Sequence, residues 1–390
     1  MSRRERVGPL ASRPGVAPEL DVDALLDDPT TGIVVCCGSG GVGKTTTSAA
    51  LALRAAERGR KVVVLTIDPA RRLAQSLGIE QLDNTPRPVV GVDGTAGGSL
   101  DAMMLDMKRT FDDVVLSQAS PERARAILDN PFYVALSSSF AGTQEYMAME
   151  KLGQIRARAQ AEGTYDLIVV DTPPSRSALD FLDAPERLSS FLDGRFLRLM
   201  VAPAKGPAKL MTAGLGLVTG ALTKILGAQI LTDLQTFVAA LDTVFGGFRA
   251  RAQQTYALLQ ADGTAFLVVA APEPDALREA EYFVERLDGD GMPLAGMVVN
   301  RATPEPRSKL PADEATAAAA RLRARRKDSL AAGLLRLHAD RWAAVQREQL
   351  LSSRFTAAHP DVATVTVAAL PGDVHDLKGL RRVGTLLARG

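Results

Sequence analysis

The residues Gly38-Ser39-Gly40-Gly41-Val42-Gly43-Lys44-Thr45 satisfy G-x-x-x-x-G-K-[ST], a spacing whose chemistry is the capture of a polyphosphate. Glycines let the backbone curl until successive N–H groups face one anion. A lysine adds a point charge near the outer phosphates, and a threonine hydroxyl can ligate Mg²⁺. The candidate nucleotide-binding residues are therefore Gly40, Gly41, Val42, Gly43, Lys44, Thr45 and Thr46, with Thr45 as metal ligand and ATP with Mg²⁺ as the expected occupant. Two aspartates extend the set. Asp68, in Thr66-Ile67-Asp68-Pro69-Ala70, stands where a carboxylate could orient water toward the γ-phosphate, which makes Lys44 and Asp68 the catalytic candidates. Asp171, in Val169-Val170-Asp171-Thr172-Pro173-Pro174, suits the outer shell of the metal. A ligand-free glycine turn is the alternative for the loop, and a helix cap or turn is the alternative for either aspartate. All three sit at the carboxyl ends of apolar runs, where an open α/β sheet binds its ligands.

Those runs are the elements that must position the chemistry. Short apolar, β-branched stretches recur at residues 33–37, 62–67, 167–170, 266–271, 294–299 and 365–370. Continuous rather than alternating apolar runs are what parallel strands covered on both faces require. Residues 45–58 read as a helix stopped by Gly59, and Ala276, Leu277, Ala280, Phe283, Val284 and Leu287 form a second helical stripe. The predicted fold is α/β, a doubly wound, mostly parallel sheet with a phosphate loop, helices on both faces and a helical insertion. Residues 1–28 read as a disordered tail without the apolar core of a secretory signal, and residues 29–390 as one domain. Helical insertions are expected at about 105–161 and 188–256, with helix beginning near residue 100, and 313–347 reads as a solvent-facing helical region.

Composition narrows the function. A net charge of +1 gives no electrostatic reason for a nucleic-acid partner. The two cysteines, adjacent at Cys36 and Cys37, point to opposite faces of a strand and form neither a disulfide framework nor a metal site, so a cytoplasmic location fits. Residues 210–231 approach membrane-spanning length, but Lys224 lies inside the stretch and argues against insertion.

Gly-Gly-Val-Gly-Lys-Thr-Thr, Thr-Ile-Asp-Pro-Ala and Asp-Thr-Pro-Pro-Ser, in that order, resemble the arsenical-pump and tail-anchored-protein-targeting ATPase family of deviant phosphate-loop proteins. Val298-Val299-Asn300-Arg301 and Leu370-Pro371-Gly372-Asp373-Val374 extend the likeness toward the C-terminus. The resemblance implies a nucleotide-gated dimer with ATP at its interface. It assigns Asp68 to the first switch, Thr45 to Mg²⁺, Asp171 to the second switch, and Asn300 and Pro371 to adenine. It also implies that helices inserted after the second switch accept a hydrophobic client or membrane-protein partner. Packing of those apolar residues against each other is the alternative.

Ser39 departs from the family pattern, which carries at this position a lysine that reaches the partner's ATP. Loss of such a trans cation lowers rates by about 10³ to 10⁵, so hydrolysis is expected to be slow. Arg71 or Arg72 could restore the charge, or the partner could be a paralogous ATPase in a heterodimer rather than a second copy in a homodimer. The contrasting reading is a non-hydrolysing, nucleotide-dependent scaffold. The family's histidine after the second switch is replaced in Ser175-Arg176-Ser177, and without further cysteines metalloid pumping is not expected. His338, His359 and His375 read as surface or turn residues.

Overall fold

The computed structural model describes residues 18–68, 72–131, 133–134, 137, 143–173, 250–324 and 329–389. The helices are α1 (Val22–Asp27), α2 (Lys44–Glu57), α3 (Arg72–Ser76), α4 (Met107–Gln118), α5 (Pro121–Leu128), α6 (Thr143–Glu162), α7 (Pro274–Gly289), α8 (Ala312–Ala324), α9 (Ser329–Ala358) and α10 (Leu377–Leu387). The strands are β1 (Ile33–Cys37), β2 (Lys61–Thr66), β3 (Arg87–Pro88), β4 (Ser99–Met104), β5 (Leu167–Asp171), β6 (Thr264–Ala270), β7 (Leu294–Ala302) and β8 (Thr364–Ala368). They form one sheet in the order β3-β4-β2-β5-β1-β6-β7-β8, parallel throughout except for β3. Every residue of β1, β5 and β6 is buried, as central strands covered on both faces must be.

Strand alternation splits the core into two layers. Ile33, Val35 and Cys37 face one layer, with Phe111 and Val115 of α4, Met149 and Leu152 of α6, Phe283 and Leu287 of α7 and Phe355 of α9. Val34 and Cys36 face the other, with Leu26 of α1, Ala49 to Leu53 of α2, and Leu380 and Val383 of α10. The expected doubly wound architecture is therefore present, and the adjacent cysteines lie on opposite faces.

Three expectations are corrected. Residues 99–104 are not the start of a helix but β4, which pairs with β2 from Lys61↔Ser99 to Thr66↔Met104. Alanine and methionine favour helix locally, but the ladder and the burial of Leu100, Ala102 and Met103 override that preference. The N-terminal tail does not extend to residue 28. Leu20 N–H donates to Thr364 O at 3.0 Å, Val22 and Leu26 of α1 are buried, and Asp23 accepts two hydrogen bonds from Arg54 at 2.6 Å. Residues 1–17 lie outside the described residues. The 313–347 region is two helices, α8 and α9, running on to Ala358, and it is not wholly solvent-facing, because Ala315, Ala332, Val345 and Phe355 are buried.

Helices α4, α5 and α6 occupy the span of the first expected insertion. Of the second, residues 250–259 are helical and joined to α6 by Arg251, whose Nε donates to both Glu150 oxygens at 3.0 Å. The rest, with the 210–231 stretch and Ser175-Arg176-Ser177, lies outside the described residues. Among the described residues no helix is long and apolar enough to cross a membrane.

Candidate functional site

The register of three strands assembles the site. Thr66 of β2 pairs with Asp171 of β5, and Asp171 pairs with Cys36 of β1, so the second aspartate ends its strand level with the last turn of backbone before the phosphate loop. The loop leaves β1 and enters α2 through Gly43, whose φ of 95° is left-handed. A Cβ at Gly43 would collide with Asn300 Nδ2, and one at Gly38 with the carbonyl of Val269, so both positions require glycine for space as well as for backbone freedom. The first turn of α2 then presents Lys44, Thr45 and Thr46 with the positive end of the helix dipole.

Thr45 Oγ1 and Thr66 Oγ1 each donate to Asp171 Oδ2 at 2.8 Å. Asp171 is fully buried, and burial pushes its carboxyl up from 3.8 to about 6, against the opposing pull of those two hydrogen bonds and of Lys44. Its other oxygen, Oδ1, has no hydrogen-bond partner among the described residues. A hydroxyl beside a carboxylate with one unfilled oxygen is a donor set that suits a hard divalent cation. Thr45 could offer Mg²⁺ its lone pair while still donating its proton to Asp171. The carboxylate would be reached directly or through a metal-bound water.

Lys44 is 5% exposed, and its ammonium donates to Gly38 O at 3.0 Å and Ser39 O at 2.8 Å. Burial lowers its pKa, while Asp171 and Asp68 favour its charged form. Asp68 follows β2, is buried, and its backbone N–H donates to Thr66 Oγ1 at 3.2 Å.

Gly41, Gly43, Lys44, Thr45, Thr46, Asp68, Asn300 and Pro371 all line one cleft of about 450 Å³. Asp171 lies behind Thr45 rather than in that lining. Gly40 is exposed on the loop, and Val42 turns its side chain into the core. Asn300 Nδ2 donates to Val42 O at 2.8 Å, so the candidate adenine residue is tied to the phosphate loop as well. Arg72 is exposed and lines the cleft with Asp68, whereas Arg71 lies outside the described residues.

Two contributors carried no role in the sequence reading. Thr66 appeared only as part of a motif, although a threonine one strand away from an aspartate at matched register is a hydrogen-bond donor to it. Arg301, next to Asn300, donates from Nη1 to Gly41 O at 3.0 Å. Nothing in an arginine signals the left-handed backbone, φ 62°, that it adopts. The histidines hold structure: His338 Nε2 lies 2.7 Å from Leu310 O, His359 packs on Phe355, and His375 Nδ1 lies 3.0 Å from Asp373 O within its own turn.

Comparison with known proteins agrees with this geometry. The chain is 26% identical over 292 residues to the ATPase GET3 of Candida glabrata, covering 73% of this chain and 75% of that protein. It is 26% identical over 295 residues to the ATPase GET3 of Zygosaccharomyces rouxii, covering 73% and 76%. With the ATPase GET3 of Ajellomyces dermatitidis it shares 29% identity over 281 residues, covering 71% and 74%. Residues 31–329, which contain the phosphate loop, both aspartates and Asn300, match the family described as anion-transporting ATPase, and the chain belongs to that ArsA ATPase family.

Proposed function

We propose that this ATPase is a Mg²⁺-dependent homodimeric switch that hydrolyses ATP slowly and couples its nucleotide state to holding a hydrophobic client or membrane-protein partner. The observation that carries the nucleotide chemistry is the convergence of Lys44, Thr45 and Asp68 on one cleft, with Asp171 buried behind Thr45 and one of its oxygens unfilled. In this reading the loop amides and Lys44 bind the β- and γ-phosphates, Asn300 and Pro371 hold the adenine, and Asp68 orients the attacking water. Mg²⁺, held by Thr45 and through Asp171, supplies charge neutralisation at the phosphate oxygens. Lys44 must leave the carbonyls of Gly38 and Ser39 to reach them.

Slow turnover follows from Ser39, which is 8% exposed and brings no charge to the cleft. Of Arg71 and Arg72, the two candidates to compensate within one chain, Arg72 is described and lines the cleft. The client and the dimer rest on the family resemblance. Thiolate transport of a soft metalloid does not enter the proposal: burial pushes Cys36 up to about 12 and Cys37 higher still, so neither is a thiolate at neutral pH.

Phosphate release and Mg-ATP titration on the full chain test the reading. Lys44→Ala should abolish binding, and Asp68→Asn should keep binding while slowing turnover roughly 100-fold or more. Unchanged affinity in Lys44→Ala sinks the nucleotide site. Unchanged turnover in Asp68→Asn, with binding intact, removes Asp68 from the chemistry, and binding without any phosphate release from the unaltered chain leaves the non-hydrolysing scaffold.

A further inference from the structure

Strand β7 ends in an irregularity that falls on the phosphate loop. Its pairing with β8 runs Asn300↔Val367 and then Ala302↔Ala368, so Arg301 is an extra residue opposed by nothing on β8. At φ 62° it is the one non-glycine residue in the left-handed region among the described residues. A left-handed backbone position normally takes glycine, and an L side chain there costs roughly 1–2 kcal/mol. A long cationic side chain at such a place carries a strain that other contacts must offset, and strained positions of this kind cluster at functional sites.

The bulge changes where two consecutive side chains go. In a regular strand Asn300 and Arg301 would point to opposite faces of the sheet. Here both reach the same loop: Asn300 Nδ2 donates to Val42 O at 2.8 Å and Arg301 Nη1 donates to Gly41 O at 3.0 Å. Two neighbouring residues thus grip two neighbouring carbonyls. A trans peptide is planar, with C=O and the following N–H directed oppositely. Holding the Gly41 and Val42 carbonyls toward β7 therefore turns the N–H groups of Val42 and Gly43 away from β7. Those are amides of the glycine-rich loop that must face an anion.

We infer that Arg301 is a positioning residue for phosphate binding, which sets the Gly41–Val42 peptide so that the Val42 amide faces the polyphosphate, with Asn300 doing the same for the next peptide. The strained bulge at Arg301 is the device that brings both donors to one loop. This rests on the phosphate-loop reading of the preceding section. Arg301 lines the cleft beside the loop and spends Nη1 on Gly41 O, so its effect is read on the affinity of the phosphate group, whatever base is attached.

The test is calorimetric titration of Mg-ATP, magnesium tripolyphosphate and adenosine into the full chain and its Arg301→Gly and Arg301→Lys variants, with thermal melts of each. Glycine relieves the left-handed strain while removing the guanidinium, so the ligand-free melting temperature should hold or rise. Tripolyphosphate and Mg-ATP should both weaken roughly tenfold, the scale of one charge-assisted hydrogen bond, with adenosine unchanged. Lysine, which can still reach Gly41 O, should recover part of that loss. Unchanged tripolyphosphate affinity in Arg301→Gly overturns the inference, as does a loss confined to the adenine-bearing ligands, which would make Arg301 a base platform. A fallen melting temperature without recovery in Arg301→Lys assigns a purely structural role and overturns it too. If the unaltered chain binds neither Mg-ATP nor tripolyphosphate, the phosphate-loop reading itself fails.

Discussion

Replacing Asp171 with asparagine should make the ligand-free protein more stable and its Mg-nucleotide complex weaker. The carboxyl is fully buried, and its pKa stands at about 6 rather than 3.8 because burial disfavours the charged form. The sign follows from proton counting. Between about pH 4 and pH 6 the unfolded chain has released this proton while the folded chain retains it, so folding stability falls as pH rises through that window. A displacement of about two units corresponds to about 3 kcal/mol, an upper scale for the cost of the charged form above pH 7. The asparagine mimics the protonated acid. Its amide oxygen can accept from Thr45 and Thr66 as Oδ2 does, and its NH₂ occupies the place of the unpartnered Oδ1. Urea unfolding without ligand should therefore find Asp171→Asn more stable by up to about 3 kcal/mol at pH 7.5, about half that at pH 5, and little different at pH 4. With Mg-ADP present the order should reverse, because the unaltered chain gains a cation at its carboxylate and the variant does not. A variant no more stable than the unaltered chain at pH 7.5, or a gap that ignores pH, would refute the argument that Asp171 is held charged at a cost that a cation relieves.

Gly43→Ala should keep the far-ultraviolet circular dichroism of the fold but lose Mg-ATP binding in calorimetry. The left-handed φ of 95° disfavours alanine by roughly 1–2 kcal/mol, and the added carbon displaces Asn300 Nδ2 from Val42 O, forfeiting about 1 kcal/mol more. Equal affinity in that variant would show that the loop tolerates a side chain where the structure leaves none. Leu26→Ala should lower stability by about 2–5 kcal/mol in urea unfolding, because Leu26 is fully buried under the sheet. A change near zero would return this segment to the tail that its sequence suggests.

Six strands could be read from sequence because each is a continuous apolar run that no other parallel-sheet element resembles. β4 could not: Ser-Leu-Asp-Ala-Met-Met lacks β-branched residues, and only its partner β2 makes it a strand. Helix α1 was hidden for a related reason. Val22, Ala24, Leu25 and Leu26 make only a short apolar set among four aspartates, and what orders them is distant in sequence: Thr364, Arg54 and Arg58. At the site, the residues proposed to meet phosphate or metal were legible as candidates, since such ligands dictate residue types. Those that act on other protein groups, Thr66 on Asp171 and Arg301 on Gly41, were not, because a hydroxyl or guanidinium carries no mark of its acceptor.

The hydrogen bonds of the site also say what a ligand must bring. Lys44 is satisfied by two loop carbonyls and Thr45 by Asp171, so both side chains already have partners within the chain. A neutral ligand would exchange equal bonds and gain little. A polyphosphate offers Lys44 a charged acceptor in a buried setting, where such a bond is roughly twice as strong as a neutral one. A divalent cation offers Asp171 the one thing its two hydroxyl partners cannot, a positive charge for the ionised form. The exchange on each side is favourable only if the other proceeds: drawing Lys44 toward phosphate removes positive charge from near Asp171, and the cation restores it. Binding of phosphate and metal is then coupled through Asp171, and tripolyphosphate without Mg²⁺ should bind far more weakly than with it. Asp171→Asn should flatten that dependence on Mg²⁺, and a variant that retains the full dependence would show that the coupling runs through another group.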